Sequence, residues 1–282
     1  GHANKIGNLI YDIKANVSWA RSKWVHFDEV DRTDPLQKRR YDLTGQWTNV
    51  AWGYEADGLF SSQEEIDNWA DITNGAHNNV IRPGDLRYVD QNEDGVIDWK
   101  DEIQIGRDAN PEIFFGLNGD FTYKNWSLNV LFQGATNYSV FNSDQFVMPF
   151  GDNMTPYAFW EKRWTEDNPN TDLSKYYFGD QNIKKNITRS NNGLTAADNN
   201  NSHYYEKGDY LCLRELTLSY TLPKSLISKC FMTDASVYVT GQNLFYITGY
   251  EGTSPEPAVS TEYGRGIDNG RYPTPRTVLF GL

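Results

Sequence analysis

Residues 90–101, DQNEDGVIDWKD, carry oxygen-bearing side chains at the spacing of a calcium loop. An EF-hand-type loop places its ligands at positions 1, 3, 5, 7, 9 and 12 and needs a glycine at position 6 for the sharp turn. Asp90, Asn92 and Asp94 fill the first, third and fifth positions, and Gly95 is the sixth. Val96 would offer its carbonyl, and Asp98 and Asp101 occupy the ninth and twelfth. Six hard oxygens suit Ca²⁺, and an aspartate at the twelfth position, shorter than glutamate, points to modest affinity. Ile97 is the apolar residue that would pin the loop to its support. A solvated acidic turn is the plainer reading of such a run, but the filled template favours a metal site. The preceding GDLRYV is β-like rather than helical, so the loop reads as a rigid clip and not as a switch.

Other reactive groupings are sparse. The carboxylate pairs Glu64/Glu65 and Asp101/Glu102 could serve glycoside hydrolysis only by converging on one substrate, which sequence neighbours rarely do. Ser61 and Ser62 precede Glu64 and Glu65 at capping-box spacing, which gives the first pair a structural task. His2, His26, His77 and His203 lie scattered among polar residues, and Cys212 and Cys230 fall too far apart along the strand pattern for a disulfide. No catalytic chemistry is expected of this chain. Among the rings at 141–164, Phe146, Tyr157, Trp160 and Trp164 are candidate ligand contacts. They could stack on a sugar or a peptide, or else bury one another as packing.

The elements that must position these groups are strands. Residues 9–19 alternate without a break, with Leu9, Tyr11, Ile13, Ala15, Val17 and Trp19 on one face and Asp12, Lys14, Asn16 and Ser18 on the other. That is the length a tilted strand needs to cross a bilayer. The same period runs through 114–123 and, after the short Lys124-Asn125 turn, through 126–134. Further strands are predicted at 209–222, 234–246 and 275–282, with a weaker one near 46–55. Short helices are predicted at 61–70 and 155–164. Lys124-Asn125 and the 223–233 link are short, whereas 137–208 is long, polar and Asn-rich. Short turns on one side and long loops on the other describe an outer-membrane barrel.

Composition agrees. The chain has 282 residues with 15% aromatics but only 38% hydrophobic residues, and its mean hydropathy is −0.68. Strands with one apolar and one polar face average to such a value. A net charge of −12 argues against nucleic acid, whose phosphates need Lys and Arg to replace their counterions.

Five segments, in order, resemble the C-terminal part of the SusC-like TonB-dependent outer-membrane transporters. They are GDLRYVDQNEDGVIDWKDEIQIG (84–106), PEIFFGLNGDFTYKNWSLNVLFQG (111–134), GDYLCLRELTLSYTLP (208–223), VYVTGQNLFYITGYEGTSPEP (237–257) and YPTPRTVLFGL (272–282). The resemblance implies an all-β fold, the C-terminal segment of a 22-stranded transmembrane antiparallel β-barrel with long extracellular loops and short periplasmic turns. Residues 84–106 would then be an extracellular calcium loop and 137–208 a long extracellular loop. The plug domain and TonB box of that family have no counterpart in this sequence, so the chain is expected to be a piece of a larger assembly. The implied function is TonB-dependent import of glycans or peptides, with a SusD-like surface lipoprotein as partner and TonB acting through the plug. The competing expectation is a soluble, extracellular, calcium-stabilised β-sandwich that binds carbohydrate. It would bury Tyr11, Trp19, Tyr123 and Trp126 in a core, where the barrel would set them on an outward surface.

Overall fold

A computed structural model describes residues 1–48, 50–72, 77–79, 81–107, 109–142, 158–175, 201–228, 232–256, 266–268 and 272–282. The strands among them are β1 (His2–Ile6), β2 (Leu9–Trp19), β3 (Ala51–Gly53), β4 (Ala56–Leu59), β5 (Leu86–Tyr88), β6 (Ile103–Gly106), β7 (Ile113–Tyr123) and β8 (Trp126–Thr136). They continue with β9 (Ser139–Asn142), β10 (Tyr205–Lys207), β11 (Tyr210–Thr221), β12 (Ser236–Gln242), β13 (Tyr246–Thr248), β14 (Ile267–Asp268) and β15 (Thr277–Gly281). Short helices α1 (Pro35–Tyr41), α2 (Gln63–Asp67) and α3 (Lys224–Ile227) lie in the connections.

One sheet dominates, in the order β1-β2-β7-β8-β11-β12-β15, with β13 also paired to β11. All its pairings are antiparallel. The predicted strand at 9–19 is observed with those bounds, and those at 114–134, 209–222 and 275–282 lie within about two residues of the observed ends. The 234–246 stretch divides into β12 and the start of β13, because 243–245 turn to meet β11. The weaker strand near 46–55 is observed as the short β3, and β5 lies in the β-like GDLRYV, whereas strand β1, helix α1 and the other small strands of the connections were not predicted.

The register decides what the sheet can do. Tyr11, Ile13 and Val17 of β2 lie opposite Phe121, Gly119 and Phe115 of β7. These in turn face Leu128, Val130 and Gly134 of β8, and Leu128 and Val130 face Leu218 and Leu216 of β11. The row runs on through Val239 and Gly241 to Phe280 and Val278. Partners opposite one another share a face, so a continuous apolar surface spans six strands. Val17 is 74% exposed and Val278 55%, so among the described residues no second layer covers this face. Glycines beside large rings fill it evenly: a Cβ on Gly134 would lie 2.2 Å from the Phe115 ring.

The opposite face carries a polar ladder. Asn129 Nδ2 donates to Asp120 Oδ1 (2.6 Å) and to Asn118 Oδ1 (3.2 Å). Lys14 reaches Asp12 at 2.6 Å, and the hydroxyls of Thr217 and Thr240 meet at 2.8 Å. Strands β2, β7 and β8 are each 11 residues long, about 36 Å when extended. At the roughly 45° tilt of barrel strands this spans about 25 Å, the height of an outer-membrane apolar band. Trp19, Tyr123 and Trp126 are exposed near the strand ends, and Trp126 stacks obliquely on Tyr220 at 4.7 Å. A sandwich would have buried these rings against a second sheet, so that reading is not favoured.

All the short turns lie at one end of the sheet. Gly7-Asn8, Lys124-Asn125 and the β11–β12 link cluster there, and Gly7 and Lys124 supply the left-handed φ that tight turns need (60° and 55°). The long connections rise from the other end. The larger, 20–112, folds into a cap with its own core of Tyr54, Phe60, Ile66, Ile72, Ile81, Leu86, Tyr88 and Ile97, joined by Tyr204 from the second long connection. At its neck the buried Glu112 pairs with Arg21 and Arg107, each at 3.0 Å, and Arg21 lies over the Trp47 ring at 3.9 Å.

A bulge in β11 holds a third outer segment. Register shifts between Leu213 and Glu215, which turns Arg214 as well as Glu215 to the polar face. Arg214 donates to Gln133 (3.0 Å), Asn243 (2.8 Å) and Glu256 (2.5 Å), and Tyr246 donates to the second Glu256 oxygen (2.9 Å). The Tyr138 hydroxyl reaches the Pro255 carbonyl at 2.6 Å. The segment 249–256 is thereby latched onto the sheet. Burial pushes the Glu256 carboxyl up, but hydrogen bonds from Arg214, Tyr210 and Tyr246 outweigh it and hold the group below the usual carboxylate range.

Two outcomes follow for the protein in a bilayer. Val130→Arg on the apolar face should destabilise the barrel by about 2–4 kcal/mol in reversible unfolding from lipid vesicles, while Ser219→Lys on the polar face should be tolerated. Arg214→Met should cost about 1–3 kcal/mol and raise amide exchange across 249–256. Because the Glu256 pKa is depressed on folding, the latch contributes fully above the unfolded carboxylate value of about 4.3. It should fade as pH falls through the folded value, an effect that Arg214→Met should remove.

Candidate functional site

The acidic loop lies on the cap, between β5 and β6. Its turn uses Glu93 and Gly95 in the left-handed region (φ 58° and 82°), as a glycine at the sixth position requires. Asp90 accepts from the Gly95 amide (2.8 Å) and more distantly from the Asp94 amide (3.3 Å), which closes the loop on its first residue. Ile97 is 3% exposed within the cap core, and its amide donates to the Asp71 carbonyl at 3.1 Å. The Asp71 amide bonds the Gly95 carbonyl at 2.8 Å, so residues 71 and 96 form a bridge across the loop's base. Ile97 is thus the anchor its position implied.

The six ligand candidates are near one another but engaged elsewhere. Asp101 is fully buried and accepts from the amides of Asp98 (2.7 Å) and Gln91 (3.0 Å). Burial holds its carboxyl above the ordinary range; the two amides pull it down, and the charges of Asp90 and Asp98 add to the rise. Asp98 caps the turn Trp99–Asp101 through the Lys100 amide. The Lys100 ammonium sits 3.0 Å from Asp94 and 3.5 Å from Asp98, and its hydrogen bond holds Asp94 below the usual carboxylate range. As placed, no three acidic, histidine or cysteine side chains among the described residues are gathered closely enough to hold a metal ion. The donor set has the chemistry of a calcium site, but Lys100 supplies the positive charge between its carboxylates. A divalent ion would have to displace that ammonium.

The ring candidates separate. Phe146 and Tyr157 lie outside the described residues. Trp160 and Trp164 are 3% and 6% exposed, so both rings are spent on packing. Gly84, at φ 92°, leaves the space that Trp164 fills, since a Cβ there would lie 2.5 Å from the indole, and Lys175 reaches over the same ring at 5.1 Å. Their neighbour Phe159 is only half-buried. It borders a cleft of about 860 Å³ among the outer segments, with Lys162, Asp172, Lys207, Asp209 and Glu251 also in its wall. The ring cluster had marked this region, but nothing local in the sequence says which rings turn inward.

No protein-family model matches the chain. Among curated proteins it is 28% identical over 249 residues to the TonB-dependent receptor P26 of Formosa agariphila, covering 85% of this chain and 23% of that protein. It is 23% identical over 281 residues to the TonB-dependent receptor SusC of Bacteroides thetaiotaomicron, covering 98% of this chain and 24% of SusC. The chain therefore spans about a quarter of the length of the curated relatives it matches. Among solved structures it superimposes on the RagAB peptide transporter with a TM-score of 0.64 and 19% identity, over 98% of this chain and 27% of that one. The sheet, the placement of its turns and the ordered sequence likeness agree: the chain is similar to a segment of the SusC-like TonB-dependent receptors and has the fold of outer-membrane β-barrel wall.

Proposed function

We propose that this chain forms barrel wall and outer loops of a TonB-dependent importer that takes up glycans or peptides together with a SusD-like surface lipoprotein. The observation that carries the reading is the sheet register. It sets an unpartnered apolar face against a polar one, and all the long connections rise at a single end. In this reading the apolar face meets lipid, the Asn118–Asp120–Asn129 ladder faces the aqueous lumen, and the cap stands on the cell surface. The wall does no catalytic chemistry. Energy arrives through TonB acting on a plug that other parts of the protein supply, while this segment shapes the passage and its outer mouth.

The acidic loop belongs to the same reading as a calcium clip. Asp90, Asn92, Asp94, the Val96 carbonyl, Asp98 and Asp101 would hold the ion, and Ile97 would transmit the rigidity to the cap core. Lys100 tunes the site, because its ammonium must leave before Ca²⁺ enters. Affinity should thus lie in the weak range of extracellular sites.

Detergent-solubilised outer membranes should yield the intact protein together with a surface lipoprotein, and cells lacking TonB should lose uptake of its cargo. Recovery from the soluble extracellular fraction would contradict the proposal. Calorimetric titration of Ca²⁺ into the folded protein should give saturable heat, weakened by Asp94→Ala and strengthened several-fold by Lys100→Met. Absence of heat in both the parent and Lys100→Met would remove calcium from the account.

A further inference from the structure

The end of the sheet that carries the short turns closes on a row of rings and aliphatic side chains. Register sets Ile6 opposite Leu9, Leu9 opposite Tyr123, Tyr123 opposite Trp126, Trp126 opposite Tyr220, and Tyr220 opposite Val237. All six belong to the apolar face, and Ile6, Tyr123, Trp126 and Val237 are exposed on it. In a bilayer such a belt sits where the acyl chains meet the headgroups. Groups just beyond it therefore stand at the level of the lipid phosphates.

The charges at that level are few and mostly positive. Among the described residues of the three turns, 5–10, 122–127 and 220–236, the charged side chains are Lys5, Lys124, Lys224 and Asp234, in a chain whose net charge is −12. Two of these lysines are brought together. The Thr221 amide donates to the Asn125 carbonyl at 2.8 Å, and the Asn125 side chain donates to the Thr221 carbonyl at 2.8 Å. This stitches the turn that holds Lys124 to the link that holds Lys224, three residues further on. Lys124, Lys224 and Asp234 are all exposed, and none of them enters an ion pair among the described residues.

A turn lysine is ordinarily left to water and extends away from its sheet. Lys124 instead folds back, with its ammonium 5.4 Å over the Tyr123 ring. Because Tyr123 belongs to the apolar face, that charge is turned toward the membrane, as a lysine does when its stem lies on apolar surface and its head reaches the headgroups. Lys5 differs. It lies opposite Ile10, whose row holds Asp12 and Lys14, and so belongs to the polar face.

We infer that the turn end of the sheet carries a binding site for an anionic phospholipid, with Lys124 and Lys224 taking its negative headgroup and Tyr123, Trp126 and Tyr220 meeting the glycerol end of its acyl chains. The inference rests on the outer-membrane reading of the sheet. A zwitterionic headgroup would bring its own ammonium against two lysines, with Asp234 alone to receive it, so the site discriminates by headgroup charge.

The test uses the intact protein in phosphatidylcholine vesicles that hold a trace of photoactivatable phosphatidylglycerol or photoactivatable phosphatidylcholine, with the crosslinked peptides mapped by mass spectrometry. Peptides holding 123–126 and 220–227 should take up phosphatidylglycerol in clear excess. Lys124→Gln and Lys224→Gln should each lower that excess about fivefold, raised salt should lower it as well, and Lys5→Gln should leave it unchanged. Unlabelled phosphatidylglycerol should compete, and inorganic phosphate at matched ionic strength should not. Equal labelling by the two lipids, an excess that survives Lys124→Gln/Lys224→Gln, an equal loss in Lys5→Gln, or competition by inorganic phosphate overturns the inference. Any of these in a protein that fractionates with the outer membrane refutes the lipid site alone, whereas a protein recovered in the soluble fraction refutes the membrane reading beneath it.

Discussion

A chain that crosses hydrocarbon must satisfy every backbone amide and carbonyl within itself, because no water is there to do it. That requirement governs this structure more than any side-chain contact does. It explains why the main sheet is antiparallel throughout and why β2 and β7 pair along their whole length, from Leu9 opposite Tyr123 to Trp19 opposite Ile113. It also explains how the β11 bulge is tolerated. The backbone displaced at Leu213 and Arg214 is taken up by residues 243–245, with Asn243 N–H donating to the Arg214 carbonyl and Leu213 N–H to the Phe245 carbonyl. The irregularity that aims Arg214 at its latch thus leaves these backbone groups paired.

Once the ladder is fixed, the period of two assigns solvents to faces, and most of this was legible in the sequence. LIYDIKANVSW alternates so cleanly that its strand, its length and its polar face follow from inspection. The turn at Lys124-Asn125 was legible despite weak turn chemistry, because apolar alternation on both sides leaves it no other place. The acidic loop was legible as a turn because Gly95 supplies the required φ and Ile97 the anchor. Lys100 was visible as a residue of that loop, but its place between Asp94 and Asp98 depends on how the last turn coils after the Asp98 cap.

What stayed hidden is non-local. The cap core joins Phe60, Ile66, Leu86 and Ile97 to Tyr204, more than a hundred residues away in the chain, and no window of sequence reports such a cluster. Arg214 and Glu256 carry no motif that pairs them. For Trp160 and Trp164 the sequence left stacking and packing both open, and the burial of both rings, with the space Gly84 leaves for Trp164, decides for packing. Helix α1 is a different case. Asp34 caps it by accepting from the Leu36 amide, and Pro35 opens its first turn, so its start signal was present in the sequence. It is short and buries no residue, which leaves no apolar period to confirm the signal.

The cap and the latch share one logic: each holds an outer segment in place by charge or by a small core, so the segments above the sheet have a defined shape. All of it presupposes that the two faces of the sheet meet different solvents. The most direct measurement is spin-label accessibility in outer-membrane vesicles, with single labels at Ile13, Val130, Leu218 and Val278 and at Asn118, Asn129 and Thr217. The account predicts strong relaxation by oxygen and little by a water-soluble nickel chelate at the first four, and the reverse at the last three. Nickel access at Val130 and Leu218 equal to that at Asn129 and Thr217 would contradict it.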